Sequence, residues 1–196
     1  MELIVATGNQ NKLAEIRRIL GDDFRWILKS LKDVGFSGEE PVESESDFEG
    51  NALLKARYYQ NKLGGIVIAD DSGIECDDLD GYPGVHSARI GNDDSHRRQV
   101  LLTHLKDVVP NKHEYAARFR CVIAIVTSDF EHTFSGSCEG YVKDQEKGIN
   151  GFGYDPIFYL DDGRSLAEYS QQEKNNISHR GRAVDKLKAF LNTIVK

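Results

Sequence analysis

Two adjacent carboxylates, Asp70 and Asp71, follow the short apolar run Ile66-Val67-Ile68-Ala69 and precede Ser72-Gly73. An apolar run of this length between glycine-containing turns reads as a buried strand. Consecutive strand residues point to opposite faces, so both carboxylates aim one way only where the strand ends. Like charges ~4 Å apart at an effective dielectric near 20 repel by roughly 4 kcal/mol, so a cation belongs beside the pair. A hard divalent ion held by oxygen ligands meets that need. A solvated strand-to-turn junction is the alternative for this stretch taken alone.

Three further sets of residues carry chemistry. Thr7-Gly8-Asn9-Gln10-Asn11-Lys12 lies between an apolar strand and a helix. Backbone N–H groups at such a helix start point at an anion, and Lys12 adds an ammonium. The two glycines and G-K-[ST] ending of a P-loop are missing, so this is not that motif. Gly148 to Asp155, GINGFGYD, combines three glycines with two aromatic rings. Such a loop lets backbone approach a ligand and offers a ring to stack on a base. Finally, His179 and Arg180 stand at the start of the last helix, with Lys174 shortly before. Cations at that end oppose the helix dipole and point to an anionic ligand. With Glu43 added to the aspartate pair, these sets form the inventory for a magnesium nucleotide. Phosphoryl chemistry then needs a positioned water and charge neutralisation more than a covalent nucleophile.

Regular elements must hold these groups. Apolar spacing predicts a strand over residues 3–6 and a helix over 12–20 carrying Leu13, Ile16, Ile19 and Leu20. One or two short strands fall within 25–34. Residues 47–63 form a helix, opened by a Ser46/Glu49 capping box and closed by Gly64-Gly65. The acidic run from Glu39 to Glu49 reads as a solvated loop. A helix follows over 94–105, a strong strand over 115–127, and one or two strands within 132–142. The last helix opens at Ser178.

Composition narrows the class. With 196 residues, 39% hydrophobic and 29% charged, the chain can bury one good core or two lobes sharing a sheet. A net charge of -7 argues against non-specific nucleic-acid binding. Cys76, Cys121 and Cys138 are odd in number and form no C-x-x-C pair, so they read as small buried hydrophobes. No basic flank marks a signal peptide, and no apolar run reaches the ~18 residues of a membrane span. A cytoplasmic protein without a membrane partner is expected.

Six blocks in order complete the picture: TGNQNK at Thr7–Lys12, FEGNALLKA at Phe48–Ala56, ADDSG at Ala69–Gly73, PGVHSAR at Pro83–Arg89, FGYDPIF at Phe152–Phe158 and SHRGRA at Ser178–Ala183. Over essentially its whole length the chain resembles the inosine triphosphatase family, in its bacterial dITP/XTP pyrophosphatase branch. One departure lies at Gly50, where many relatives carry Glu.

The resemblance implies an α/β fold. A single domain over residues 1–196 would then have an elongated mixed sheet with flanking helices, forming two lobes around a nucleotide cleft. It implies hydrolysis of ITP, dITP or XTP, as small-molecule nucleoside triphosphates, between the α- and β-phosphates. The products are the monophosphate and pyrophosphate, and the nucleotide pool is cleared of deaminated purines. Thr7, Gly8, Asn9, Gln10, Asn11 and Lys12 would hold the triphosphate, assisted by Lys174. Asp71 would bind Mg2+ and accept the proton of the attacking water, with Asp70 and Glu43 as further metal ligands. Ser72 would touch substrate, and Phe152 would stack on the base within the Gly153-Tyr154-Asp155 loop, Asp155 contacting the nucleoside. His179 and Arg180 would read the 6-keto edge. A homodimer is implied, with no nucleic-acid partner.

A site that donates to O6 leaves donors unpaired against an amino group, and such sites reject the wrong analogue by roughly 10⁴ to 10⁵. ITP should therefore be strongly preferred to ATP. Competing readings are a pyrophosphatase of the similar Maf-type fold, an aspartyl-phosphatase of the haloacid-dehalogenase kind, and a nucleotide sensor without catalysis. The second lacks its D-x-D motif after the first strand, because residues 6–12 contain no Asp.

Overall fold

Leu3, Ile4 and Val5 make the chain start as β1 (Glu2–Val5), a strand buried at all three apolar positions. The computed structural model describes residues 1–21 and 24–194. Of the domain expected over 1–196, residues 22, 23, 195 and 196 therefore lie outside the described set. On one side β1 pairs in parallel with β2 (Ile27–Ser30), Leu3 opposite Leu28. On the other it pairs in parallel with β3 (Val67–Cys76), Val5 opposite Ile68. With β4 (Glu114–Val126), β5 (Glu131–Lys143) and β6 (Phe158–Tyr159), the six strands run in the order β2-β1-β3-β4-β5-β6. The sheet is mixed, since β5 and β6 pair antiparallel.

Helix boundaries follow their caps. In α1 (Gln10–Leu20) the Asn9 side chain caps the start, and Gly21 ends it with φ +77°. In α2 (Phe48–Leu63) the cap is Asp47, whose Oδ1 accepts from Gly50 N at 2.7 Å. The expected Ser46/Glu49 box is thus shifted by one residue at its cap, and Glu49 instead accepts from the Thr133 hydroxyl. α3 (Asp94–Val108) starts from Asp93. A short helix absent from the sequence reading, α4 (Gln171–Ile177), has a full Ser170/Glu173 capping box. α5 (His179–Ile194) closes the described chain.

These elements form two compact units. The first comprises Met1–Asp71, Cys121–Gly136 and Arg180–Lys196. Its core packs Leu3 and Val5 of β1 with Leu13 and Ile16 of α1, Ile123 of β4 and Leu187 of α5. Full burial of each such side chain contributes about 1.5–3 kcal/mol. The second comprises Ser72–Arg120 and Ser137–His179, around Ile74, Leu101, Leu105, Phe119, Val142 and Phe158. Cys121 belongs to the first core, Cys76 and Cys138 to the second, and all three are buried free thiols as expected. Burial pushes the Cys76 and Cys121 thiols up to about 12. Among the described residues no helix is long and apolar enough to cross a membrane.

Candidate active site

The aspartate pair does not end its strand. β3 runs on to Cys76, so Asp70 and Asp71 lie in its middle and project from opposite faces. The repulsion anticipated for two carboxylates aimed one way is avoided by geometry, and each has its own cations. Asp70 Oδ2 lies 3.0 Å from Lys12 Nζ of α1. The same oxygen lies 3.3 Å from Nη2 and 3.4 Å from Nε of Arg180, in α5. Arg180 Nη1 donates to Glu15 of α1. Asp71 Oδ1 accepts from Lys55 Nζ of α2 at 2.9 Å, and the same ammonium donates to Glu43 at 2.5 Å.

These charges are out of solvent. Asp70 is 3% exposed and Arg180 2%. Burial pushes the Asp70 carboxyl up, but Lys12, Arg180 and Lys55 outweigh it and hold the group well below the usual carboxylate range. For Asp71 burial prevails over the opposing Lys55, and its carboxyl titrates above the ordinary value. Burial lowers the Lys55 ammonium, yet Asp71, Asp70 and Glu43 more than compensate and keep it charged. Asp71 Oδ2 is buried without a hydrogen-bond partner among the described residues. An acceptor oxygen with that protonation balance is suited to take a proton from water.

The Thr7–Lys12 loop starts α1 as expected, but its amides are not all open to an anion. Asn9 Oδ1 accepts from Asn11 N at 2.9 Å and from Lys12 N at 3.2 Å, while Thr7 Oγ1 accepts from Asn9 N at 3.1 Å. Three of the loop's amides are thus engaged within it, and Lys12 is its one cationic side chain. Glu40 packs so closely on Gly8 that a Cβ there would lie 2.2 Å from its Oε1. A cavity of about 400 Å³ borders the loop, with Thr7, Gly8, Gln10, Arg17 and Tyr59 in its wall.

In the second unit Asp155 organises the glycine-rich loop. Its Oδ2 accepts from Phe152 N at 2.8 Å and from Lys174 Nζ of α4 at 2.7 Å. The Lys174 ammonium lies 5.1 Å from the centre of the Phe152 ring, a cation–π contact. Tyr154 donates its hydroxyl to Ser87 O at 2.7 Å. Ser72 follows Asp71 on β3. Beyond it Gly73 must be glycine, since a Cβ would lie 2.4 Å from both Gly84 O and Ser87 Oγ. That contact brings the ADDSG and PGVHSAR blocks together. His179 is buried and stacks on Phe119, centroids 4.7 Å apart.

Placement bears on three assignments. Asp70, Asp71 and Glu43 do not gather as one metal cage, and no group of three such ligands occurs among the described residues. The reason is the strand alternation that turns Asp70 toward Lys12 and Arg180. Lys174 pairs with Asp155 of the Phe152–Asp155 loop. Arg180 has a structural duty between Asp70 and Glu15 that the helix-start argument did not foresee. Lys55 and Glu15 escaped notice altogether. Each is a charged residue on the buried stripe of its helix, among Phe48, Ala52, Ala56 and Tyr59 for Lys55, and among Leu13, Ile16 and Leu20 for Glu15. A charge in that position was the available signal.

Known proteins resemble the chain over nearly its whole length. The model of the Ham1 family matches residues 3–190. The dITP/XTP pyrophosphatase of Bacillus licheniformis is 42% identical over 193 residues, 97% of each chain. That of Bacillus subtilis is 40% identical over 195 residues, covering 97% of this chain and 96% of its own. Among solved structures, a HAM1 protein from Coxiella burnetii superposes with a TM-score of 0.88 at 34% identity, over 98% of this chain and 99% of the other. The nucleoside-triphosphatase / dITP/XTP pyrophosphatase of Mycobacterium abscessus gives 0.75 at 40% identity, over 95% and 98%.

Proposed function

The chain belongs to the Ham1 family, and on that premise we propose that it hydrolyses the deaminated purine nucleotides ITP, dITP and XTP to the monophosphate and pyrophosphate. The relatives named dITP/XTP pyrophosphatase support the substrate class. The observation that carries the chemistry is Asp71: buried, raised in pKa, with Oδ2 unengaged and Lys55 on its other oxygen.

Asp71 accepts a proton from water as the water oxygen bonds to the α-phosphorus. The bond from that phosphorus to the bridging oxygen breaks, and pyrophosphate leaves with its electron pair. Lys12 and Lys55 offset the negative charge of the triphosphate, and the side chains of Thr7 to Lys12 orient it. Glu43 and Asp71 would hold Mg2+. Two carboxylates and an unengaged buried oxygen suit a hard cation, which needs only one or two carboxylates beside phosphate oxygens and waters. When bound, the ion supplies charge neutralisation on the phosphate oxygens. Asp70 serves from the other face of β3 by fixing Lys12 and Arg180.

The nucleoside falls to Ser72, Phe152, Gly153, Tyr154 and Asp155, with Lys174 and His179. Phe152 stacks on the base. His179 and Arg180 donate to the 6-keto oxygen, and the Arg180 grip on Asp70 and Glu15 supports a donor held in place before substrate arrives. The two units act as one domain in this reading. Family resemblance extends it to a cytoplasmic homodimer, which light scattering tests. Pyrophosphate release from ITP, XTP, dITP, GTP and ATP, with and without Mg2+, tests the activity itself. Magnesium-dependent release from ITP, dITP and XTP, with ATP far slower, is expected; release of orthophosphate as the direct product overturns it.

A further inference from the structure

A part of the second unit that holds none of the assigned residues, the start of α3, grips the base loop. Asp94 and Arg98 stand one turn apart on α3 and so share a face. Asp94 Oδ2 accepts from Gly153 N at 2.8 Å, and Arg98 Nη1 donates to Gly153 O at 2.8 Å. Both polar ends of a single residue's backbone are therefore held by one helix. Each holder is itself held: Arg97 Nη1 donates to Asp94 Oδ1 at 2.8 Å, and Arg98 forks onto Glu146 at 2.8 and 3.0 Å. The position in the first turn of α3 suits the Asp94 charge.

Gly153 needs such a hold. It has φ +64° and follows Gly151 at φ +76°, both in the left-handed region. Glycine backbone samples that region no more readily than several others, so its own sequence does not fix the loop. Asp155 and Tyr154 tie the loop from its C-terminal side, through Phe152 N, Lys174 and Ser87 O. The α3 contacts supply the constraint beside the Phe152 ring.

We infer that Asp94 and Arg98 are positioning residues for nucleoside recognition, acting through the Gly153 backbone to set the Phe152 ring against a purine base. The inference rests on Phe152 being the base platform of the proposed function. It predicts that affinity for the base-bearing part of a ligand depends on these two residues, while affinity for the phosphates does not.

Asp94→Ala, Asp94→Asn and Arg98→Met in the full chain separate these parts. Losing a hydrogen bond that holds the loop should weaken IMP binding by about tenfold in Asp94→Ala and Arg98→Met. Pyrophosphate binding should stay within about twofold, and for ITP KM should rise about tenfold with kcat nearly unchanged. Asp94→Asn keeps an acceptor oxygen and should recover most of the loss. Amide exchange at Gly153 in the ligand-free protein should quicken about tenfold in Asp94→Ala. Unchanged IMP affinity in a parent that hydrolyses ITP overturns the inference, and so does equal loss of IMP and pyrophosphate binding. Failure of the parent to hydrolyse ITP overturns the proposed function instead, and unchanged Gly153 exchange then still refutes the α3 clamp.

Discussion

Lys55 Nζ lies 2.9 Å from Asp71 Oδ1, which places a helix cation on the carboxylate proposed to activate water. Lys55 lowers the Asp71 pKa against the larger effect of burial. Replacing it by methionine removes that counterweight. In metal-free protein the Asp71 carboxyl of Lys55→Met should titrate at higher pH than in the parent, measured by carboxyl-carbon NMR. Pyrophosphate release should also fall, by about 10² if Lys55 stabilises charge as a typical oxyanion donor does.

Asp70 behaves in the opposite sense. Its folded-state pKa lies below the ordinary ~3.9, so the stability it contributes is fully present above that value and is lost as pH falls from there through the folded-state pKa. Asp70→Asn should destabilise the fold by about 3–5 kcal/mol near neutrality, because Arg180 remains buried with a charge partner removed. The penalty should shrink below about pH 4, where the parent carboxyl loses its advantage over asparagine. Denaturant unfolding of both chains between pH 3 and 7 measures it.

Phe152→Ala removes the ring that Lys174 faces at 5.1 Å. Base–aromatic stacking contributes about 1–3 kcal/mol per base, so KM for ITP should rise by about 5- to 150-fold. Pyrophosphate, which has no base, should bind as before. Steady-state kinetics and calorimetry check the two halves of this expectation.

Much of this was legible in the sequence. Strands β1 and β4 and helices α1, α2, α3 and α5 follow from apolar spacing, since their buried stripes are continuous. The Phe152–Asp155 loop was legible from its glycines. What spacing could not give was direction. Asp70 and Asp71 are neighbours in sequence, and only the continuation of β3 through Cys76 shows that they face apart. The partners Lys55 and Glu15 were hidden for a related reason. Each pairs with a residue at least 12 positions away in sequence, Lys55 with Glu43 and Asp71, and Glu15 with Arg180. Helix periodicity records a charge on a buried face but not what it meets. The Asn9 cap that satisfies two amides of the Thr7–Lys12 loop is a local device, and Asn before a helix was its signal.

Pyrophosphate release from ITP by the parent and Asp71→Asn, with Mg2+ present, tests the central claim most directly. A general base contributes typically 10² to 10⁴-fold, so Asp71→Asn should lose that much of kcat while its circular dichroism and melting curve remain those of a folded protein. A folded Asp71→Asn that releases pyrophosphate within a few-fold of the parent would contradict the account.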